Sequence, residues 1–138
     1  MMISTRGRYA LRVMLDLAER TDGHYTPMKD VAERQGLSLK YLERILPVLT
    51  KNGMVEGIQG KGGGYRLTKA LEEYRVGDIL RLTEGDLAPV ACLGCGAKAC
   101  ERAENCKTQP MWTEFYNMTN AYFDGITLSA LIEQERFQ

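Results

Sequence analysis

Residues 26 to 67 read TPMKDVAERQGLSLKYLERILPVLTKNGMVEGIQGKGGGYRL, and this stretch leaves few folds open. Thr26 followed by Pro27 marks a helix start, a capping side chain ahead of a proline at the first helical position. The helix MKDVAERQ then meets Gly36, which stops it. Ser38 caps a second helix, LKYLERILPVLTKN, with Leu42, Ile45, Leu46 and Leu49 on one side and Asn52-Gly53 at its end. Pro47 removes a hydrogen bond within that helix and predicts a kink or an early end near Arg44–Leu46. MVEGI and YRLT are short strands around QGKGGG, a β-hairpin with a glycine-rich turn. Helix, short turn, helix and hairpin in that order make a winged helix–turn–helix.

This order suits DNA reading. The second helix of such a unit enters the major groove with its N-terminal residues at the base edges. Those residues are Ser38, Lys40, Tyr41, Glu43 and Arg44, with Lys40 and Lys51 placed to reach phosphates. Glu43 is repelled by phosphate but can accept a hydrogen bond from cytosine N4, so it tunes specificity more than affinity. In the wing, Gln59 can reach the minor groove and Lys61 can pair with phosphate, while Gly60 and its neighbours let the backbone come close. Tyr9 of the preceding helix completes the candidate DNA-contacting set. Residues 1–69 carry 12 Lys and Arg against 7 Asp and Glu, and residues 70–138 carry 6 against 11, so the basic half contains the reading unit. The bland readings are that amphipathic helix pairs are common and that glycine-rich turns mostly just turn. A nucleotide-binding phosphate loop is excluded: GKGGG lacks the trailing Lys-Ser/Thr, and a strand follows it.

The rest of the chain reads as helices around one irregular segment. Residues 5–20 place Tyr9, Val13, Met14, Leu17 and Ala18 on one helical face, and residues 75–84 form another helix. Thr108 to Asp124 carries Met111, Trp112, Phe115, Met118, Tyr122 and Phe123 at spacings of three and four, and Gly125 stops it. Thr127 caps a last helix, LSALIEQER, which runs to Arg136. Before the aromatic helix, ACLGCGAKACERAENC holds all four cysteines: Cys92, Cys95, Cys100 and Cys106. No apolar run approaches the roughly 20 residues that span a bilayer, and the N-terminus lacks a secretory signal, so the expected address is the cytoplasm. Thiols stay reduced there, which demotes disulfides and leaves a metal site or a thiol switch. Four thiolates suit an iron–sulfur cluster and a structural zinc equally, and the spacing C-x2-C-x4-C-x5-C decides for neither. A small thiol oxidoreductase built on Cys92 and Cys95 lacks the βαβ context its motif needs.

Several segments resemble the Rrf-type winged-helix transcription regulators of bacteria: ISTRGRYALRVMLDLA, QGLSLKYLERIL, KNGMVEGIQGKGGGYRL, VGDILRLTEG, CKTQPMW and ITLSAL. That family holds iron–sulfur cluster biogenesis regulators, nitric-oxide-sensing repressors and cysteine-metabolism repressors, and in look the chain sides with the iron–sulfur branch. The resemblance spans about Ile3 to Leu131. It implies a mostly α fold with a small β-hairpin, a winged helix–turn–helix DNA-binding domain plus a long C-terminal dimerisation helix. It also implies a homodimer that reads double-stranded DNA at a palindromic operator as a repressor, not an enzyme. The corresponding division is 1–84 for DNA binding, 85–107 for a cysteine-rich sensor loop, and 108–138 for the dimerisation and C-terminal helices. Trp112, Phe115, Tyr122 and Phe123 become the dimer seam; spacing alone would make them monomer core.

Cluster-bearing members of the family use three loop cysteines, which map onto Cys92, Cys100 and Cys106. Some members add a His after the third cysteine, where Lys107 stands here; others use an acid near the N-terminus, where Arg8 stands. His24, the one histidine, falls in the turn after the first helix. Cys95 is therefore the candidate fourth ligand. The resemblance tips the cofactor toward an iron–sulfur cluster, [2Fe–2S] or [4Fe–4S], with zinc as the alternative and a clusterless thiol- or partner-regulated repressor behind it. Gln59 replaces an Arg frequent in the iron–sulfur members, so their operator does not carry over.

Overall fold

The computed structural model describes residues 2–20, 22–134 and 137. Helix α1 (Thr5–Ala18) is capped by the Ser4 side chain, α2 (Met28–Gln35) ends at Gly36, and α3 (Leu39–Lys51) starts at the Ser38 cap. Gly36 holds φ 63°, a left-handed conformation that glycine adopts at no steric cost. Strands β1 (Val55–Ile58) and β2 (Gly64–Leu67) pair antiparallel from Val55 opposite Leu67 to Ile58 opposite Gly64. Then come α4 (Val76–Glu84), two short 3-10 turns at 91–93 and 103–105, α5 (Gln109–Asp124) and α6 (Leu128–Glu133). The fold is mostly helical with one hairpin, as the sequence predicts. The expected last helix ends at Glu133, and its Glu135 and Arg136 lie outside the described residues.

An early end of α3 at Pro47 and a Thr26 cap on α2 are both corrected. Pro47 does not end α3, which runs through to Lys51. Pro47 is exposed, so the carbonyl it leaves without an N–H partner can be hydrated, while buried Leu46 and Leu49 hold both halves of the helix against the core. Thr26 does not cap α2. Pro27 occupies that position, and Thr26 instead bridges to β2: its N–H donates to the Tyr65 carbonyl at 2.8 Å and its carbonyl accepts from the Tyr65 N–H at 2.9 Å. A lone two-stranded hairpin is marginal in water, so this third strand-like contact fastens the wing to the helices. It also explains Gly64, where a Cβ would run into the Thr26 carbonyl.

One apolar core joins α1, α2 and α3 through fully buried Val13, Met14, Val31, Leu42, Ile45 and Leu49. A smaller cluster of Val76, Leu80, Leu87 and Ile126 takes Tyr116 and Phe123 of α5 against it. Helix α4 serves both, with Ile79 in the first core and Val76 and Leu80 in the second. Tyr74, only 1% exposed, ties the base of the wing to this junction. Its hydroxyl donates to the Met54 carbonyl at 2.7 Å and accepts from the Thr68 and Lys69 N–H groups at 2.8 and 3.1 Å. Tyr74→Phe strands those three backbone groups and is predicted to lower stability by about 2 kcal/mol. A thermal melt equal to that of the unaltered protein would disprove this role.

A candidate DNA-reading face and a cysteine loop

The reading face is assembled from α1, α3 and the wing. The inward side of α3 is fully engaged by Leu42, Ile45, Leu46 and Leu49, which leaves Ser38, Lys40, Glu43 and Arg44 in solvent. Tyr41 is half-buried, its ring edge-on to Tyr9 with centroids 5.3 Å apart, and the Arg12 guanidinium stands 5.6 Å from the Tyr9 ring centroid. Tyr9 thus orients the start of α3 from α1. Arg6, Tyr41, Arg44 and Ile45 line one shallow depression, and Ser38, Lys40, Tyr41 and Arg44 line an adjoining one. Arg6 was not among the residues expected there. Its signal was its place one turn before Tyr9 on the same helix, which only the packing of α1 beside α3 makes meaningful.

Lys51 is exposed in the last turn of α3, and Gln59, Gly60 and Lys61 are exposed in the wing turn. Gly60 and Gly62 hold φ 93° and 78°, so the turn depends on residues without a Cβ. Across the strands, Arg66 pairs with Glu56 at 2.7 Å and lies 4.3 Å from the Tyr25 ring centroid, which stiffens the wing behind its tip. The cations divide accordingly. Arg34, Arg66 and Arg81 are held in ion pairs, whereas Arg6, Lys40, Arg44, Lys51 and Lys61 form none among the described residues. Unpaired cations around a polar helix start are what a phosphate backbone would meet.

The cysteines occupy the segment between α4 and α5. Cys92, Cys95 and Cys100 are exposed and Cys106 is half-buried, all as free thiols. A hydrogen bond from the Thr108 hydroxyl lowers the pKa of Cys106 from the ordinary thiol value, helped by the backbone N–H groups of Thr108 and Gln109 and by the Arg102 charge. The donor chemistry suits a thiolate-held iron–sulfur or zinc centre. Among the described residues, however, no three His, Cys, Asp or Glu side chains converge into a ready metal site. Asp86 was not anticipated. It follows α4 and accepts the Cys95 N–H at 2.6 Å and the Ala88 N–H at 3.0 Å, and these bonds hold its carboxyl below the usual carboxylate range. His24 is exposed and pairs with Asp22 at 3.3 Å, away from the loop in the turn after α1.

Both ends of the loop are anchored. Glu84, the last residue of α4, accepts from the Ser4 N–H at 2.9 Å and from the Ser4 hydroxyl at 2.6 Å, so it reaches the start of α1. Arg81 donates to Asn120 of α5 at 2.9 Å, to Asp78 at 3.0 Å and to Asp124. Helix α5 is the least covered of the α-helices, with Thr119 its one buried residue. The structure also divides its aromatic stripe: Phe123 turns inward with Tyr116, while Met111, Phe115, Met118 and Tyr122 stand exposed.

These features define a winged-helix DNA-binding protein with a thiol-bearing loop ahead of a C-terminal helix. Residues 3–134 match the Rrf2 family, described as an iron-dependent transcriptional regulator. The chain belongs to the Rrf2 family of DNA-binding transcription regulators, which are not enzymes. It is 33% identical over 135 residues to the HTH-type transcriptional regulator IscR of Escherichia coli, covering 98% of this chain and 82% of that protein. Its fold is similar to CymR (YrzC), the global cysteine regulator of B. subtilis, with a TM-score of 0.79, 31% identity, and coverage of 97% of this chain and 98% of that one. It is similar to T. potens IscR as well, with a TM-score of 0.77, 32% identity, and coverage of 100% and 91%. Among the described residues no helix is long and apolar enough to cross a membrane.

Proposed function

We propose that this protein is a homodimeric, cytoplasmic repressor whose operator affinity depends on an iron–sulfur cluster held by Cys92, Cys100 and Cys106 with Cys95 as fourth ligand. The observation that carries this reading is the confinement of every thiol, all accessible or nearly so, to the loop joining α4 to α5. Similarity to IscR proteins supports the cofactor. Bound there, the cluster would supply a redox- and nitric-oxide-reactive group whose gain or loss reshapes the loop. The protein's own residues carry that change outward. Glu84 links the loop's start to Ser4 and so to the end of α1 that bears Arg6 and Tyr9, and Arg81 links α4 to α5. Two recognition helices must match two half-sites at a set separation, so a small change of angle between copies alters the fit. Ser38, Lys40, Tyr41, Glu43 and Arg44 would meet base edges and phosphates, with Lys51, Gln59, Gly60 and Lys61 on the flanking backbone and minor groove, and Tyr9 supporting Tyr41.

The test is purification without oxygen, followed by iron, sulfide and zinc analysis and by titration of an operator selected from random-sequence duplexes. About one cluster per chain and a change in operator affinity on exposure to air are expected. Stoichiometric zinc without sulfide would replace the cluster by a structural metal. A clusterless regulator is the second reading. It is favoured by the lack of convergence among the thiols, by the lowered pKa of Cys106 and by the likeness to a cysteine regulator. Alanine at Cys92, Cys100 and Cys106 together would leave operator binding and its response intact if a partner protein delivers the signal.

A further inference from the structure

The carboxylate of Asp86 does more than close the end of α4. An ordinary Asx turn after a helix uses one acceptor, here Oδ1 receiving the Ala88 N–H at 3.0 Å. The other oxygen, Oδ2, reaches nine residues along the chain to the Cys95 N–H at 2.6 Å, a contact the turn itself has no need of. Between the two bonds the backbone is folded tightly. Leu93 N–H donates to the Val90 carbonyl at 3.2 Å and Gly94 N–H to the Ala91 carbonyl at 3.1 Å, a turn that contains Cys92. A second turn, from the Ala97 N–H to the Gly94 carbonyl at 3.0 Å with Gly96 at φ 74°, contains Cys95. The second turn runs beside the carboxylate: a Cβ on Gly94 would lie 3.2 Å from the Ala91 carbonyl oxygen and in ordinary contact, 3.4 Å, with Oδ2. Leu87, 1% exposed, roots this half of the loop in the smaller apolar cluster. Cys100 and Cys106 belong to the other half, where a separate 3-10 turn leads into α5.

We propose that Asp86 is the positioning residue that presents Cys95, on the turn that directly follows the one bearing Cys92, as the fourth thiolate of the loop's metal centre. The inference rests on the metal-bound reading proposed above. A backbone already held in place loses less conformational freedom when the thiol is captured, and outer-shell hydrogen bonds to a ligand commonly change metal affinity by about 10- to 100-fold. The role falls to an aspartate because two N–H groups, those of Ala88 and Cys95, must be accepted at once. Asparagine offers one acceptor oxygen and a donor in place of the second.

Full-length protein, Asp86→Ala, Asp86→Asn and Cys95→Ser are loaded anaerobically with ferrous iron and sulfide, and in parallel with zinc. The alkylation rate of each cysteine by iodoacetamide is then read by mass spectrometry. In the unaltered protein all four cysteines are expected to be protected. In Asp86→Ala, Cys95 is expected to react at least about 10-fold faster while Cys100 and Cys106 keep their protection, and Asp86→Asn is expected to fall between. Matching thermal melts of the unloaded proteins establish that the variants are folded. Equal protection of Cys95 with and without Asp86 overturns the proposal, as does equal loss of protection at all four cysteines in Asp86→Ala. Protection of Cys92, Cys100 and Cys106 but not Cys95 in the unaltered protein overturns the role and leaves the metal centre standing. No protection in the unaltered protein by either metal overturns the metal reading and the role of Asp86 with it.

Discussion

Met118→Glu is expected to turn the protein into a monomer and to weaken specific operator binding by about 10³-fold or more. Met111, Phe115, Met118 and Tyr122 recur at helical spacings along one side of a 16-residue helix and are between 43% and 62% exposed. An apolar row of that length left to solvent marks an interaction surface. A second copy of the chain, meeting it along the same row, would bury both. A glutamate in the middle of such a seam would be desolvated without a partner, at a cost of several kcal/mol per copy. In the single chain the position faces water, so the substitution changes monomer stability by less than about 0.5 kcal/mol. Each monomer would keep its winged helix but address one half-site at a time. Sedimentation and operator titration at one salt concentration test this together, since phosphate contacts make affinity strongly salt-dependent. A Met118→Glu variant that sediments as a dimer and keeps its operator affinity would remove α5 as the seam.

Asp16→Ala is expected to cost about 2–3 kcal/mol of stability. Asp16 lies on α1 with 3% exposure and accepts from Arg34 at 2.7 and 3.1 Å and from Gln35 at 2.9 Å, with Arg20 at 3.7 Å. It clamps the end of α2 to α1 and so sets the platform from which α3 projects. Burial pushes its carboxyl up, but the hydrogen bonds from Arg34 and Gln35 and the charges of Arg34 and Arg20 outweigh that and hold it below the usual carboxylate range. Arg34 keeps a third of its side chain in water, which is why the expected loss falls short of that for a fully buried pair. A depressed folded-state pKa contributes stability that is complete above the unfolded value of about 3.9 and is lost as pH falls through the folded value. The gap between the protein and Asp16→Asn should therefore be constant from neutral pH down to about 5 and shrink below about 4. Urea titrations across that range check it, and a gap independent of pH throughout would show that the charge of Asp16 contributes nothing.

The reading unit was largely legible because its signals are local. Gly36, the Ser38 cap and the Asn52-Gly53 stop act within one helical turn, and the buried side of α3 repeats every three or four residues. The same locality misplaces the cap of α2 and allows an early end of α3. Thr26-Pro27 looks like a helix start to its neighbours, yet Thr26 is taken by Tyr65, 39 residues away. Pro47 looks like a helix breaker, yet the apolar residues around it belong to the main core, where α2 and α4 pack against α3. On α5 the periodicity located a helix but not its two sides. Phe123 and Tyr122 are adjacent in sequence and only Phe123 packs against the smaller cluster.

By itself the sequence determined the helices, the hairpin, the class of DNA-reading unit and the concentration of thiols in one segment, because caps, periodicity and spacing are written within a few residues. Tertiary structure alone decided that Arg6 shares a depression with Tyr41 and Arg44, that Glu84 reaches Ser4 across 80 positions, and that Asp86 holds Cys95. Hydrogen bonds and side-chain contacts at such separations leave no periodic trace in a chain. They exist only once α1 and α4 have packed and the loop has closed on the end of α4.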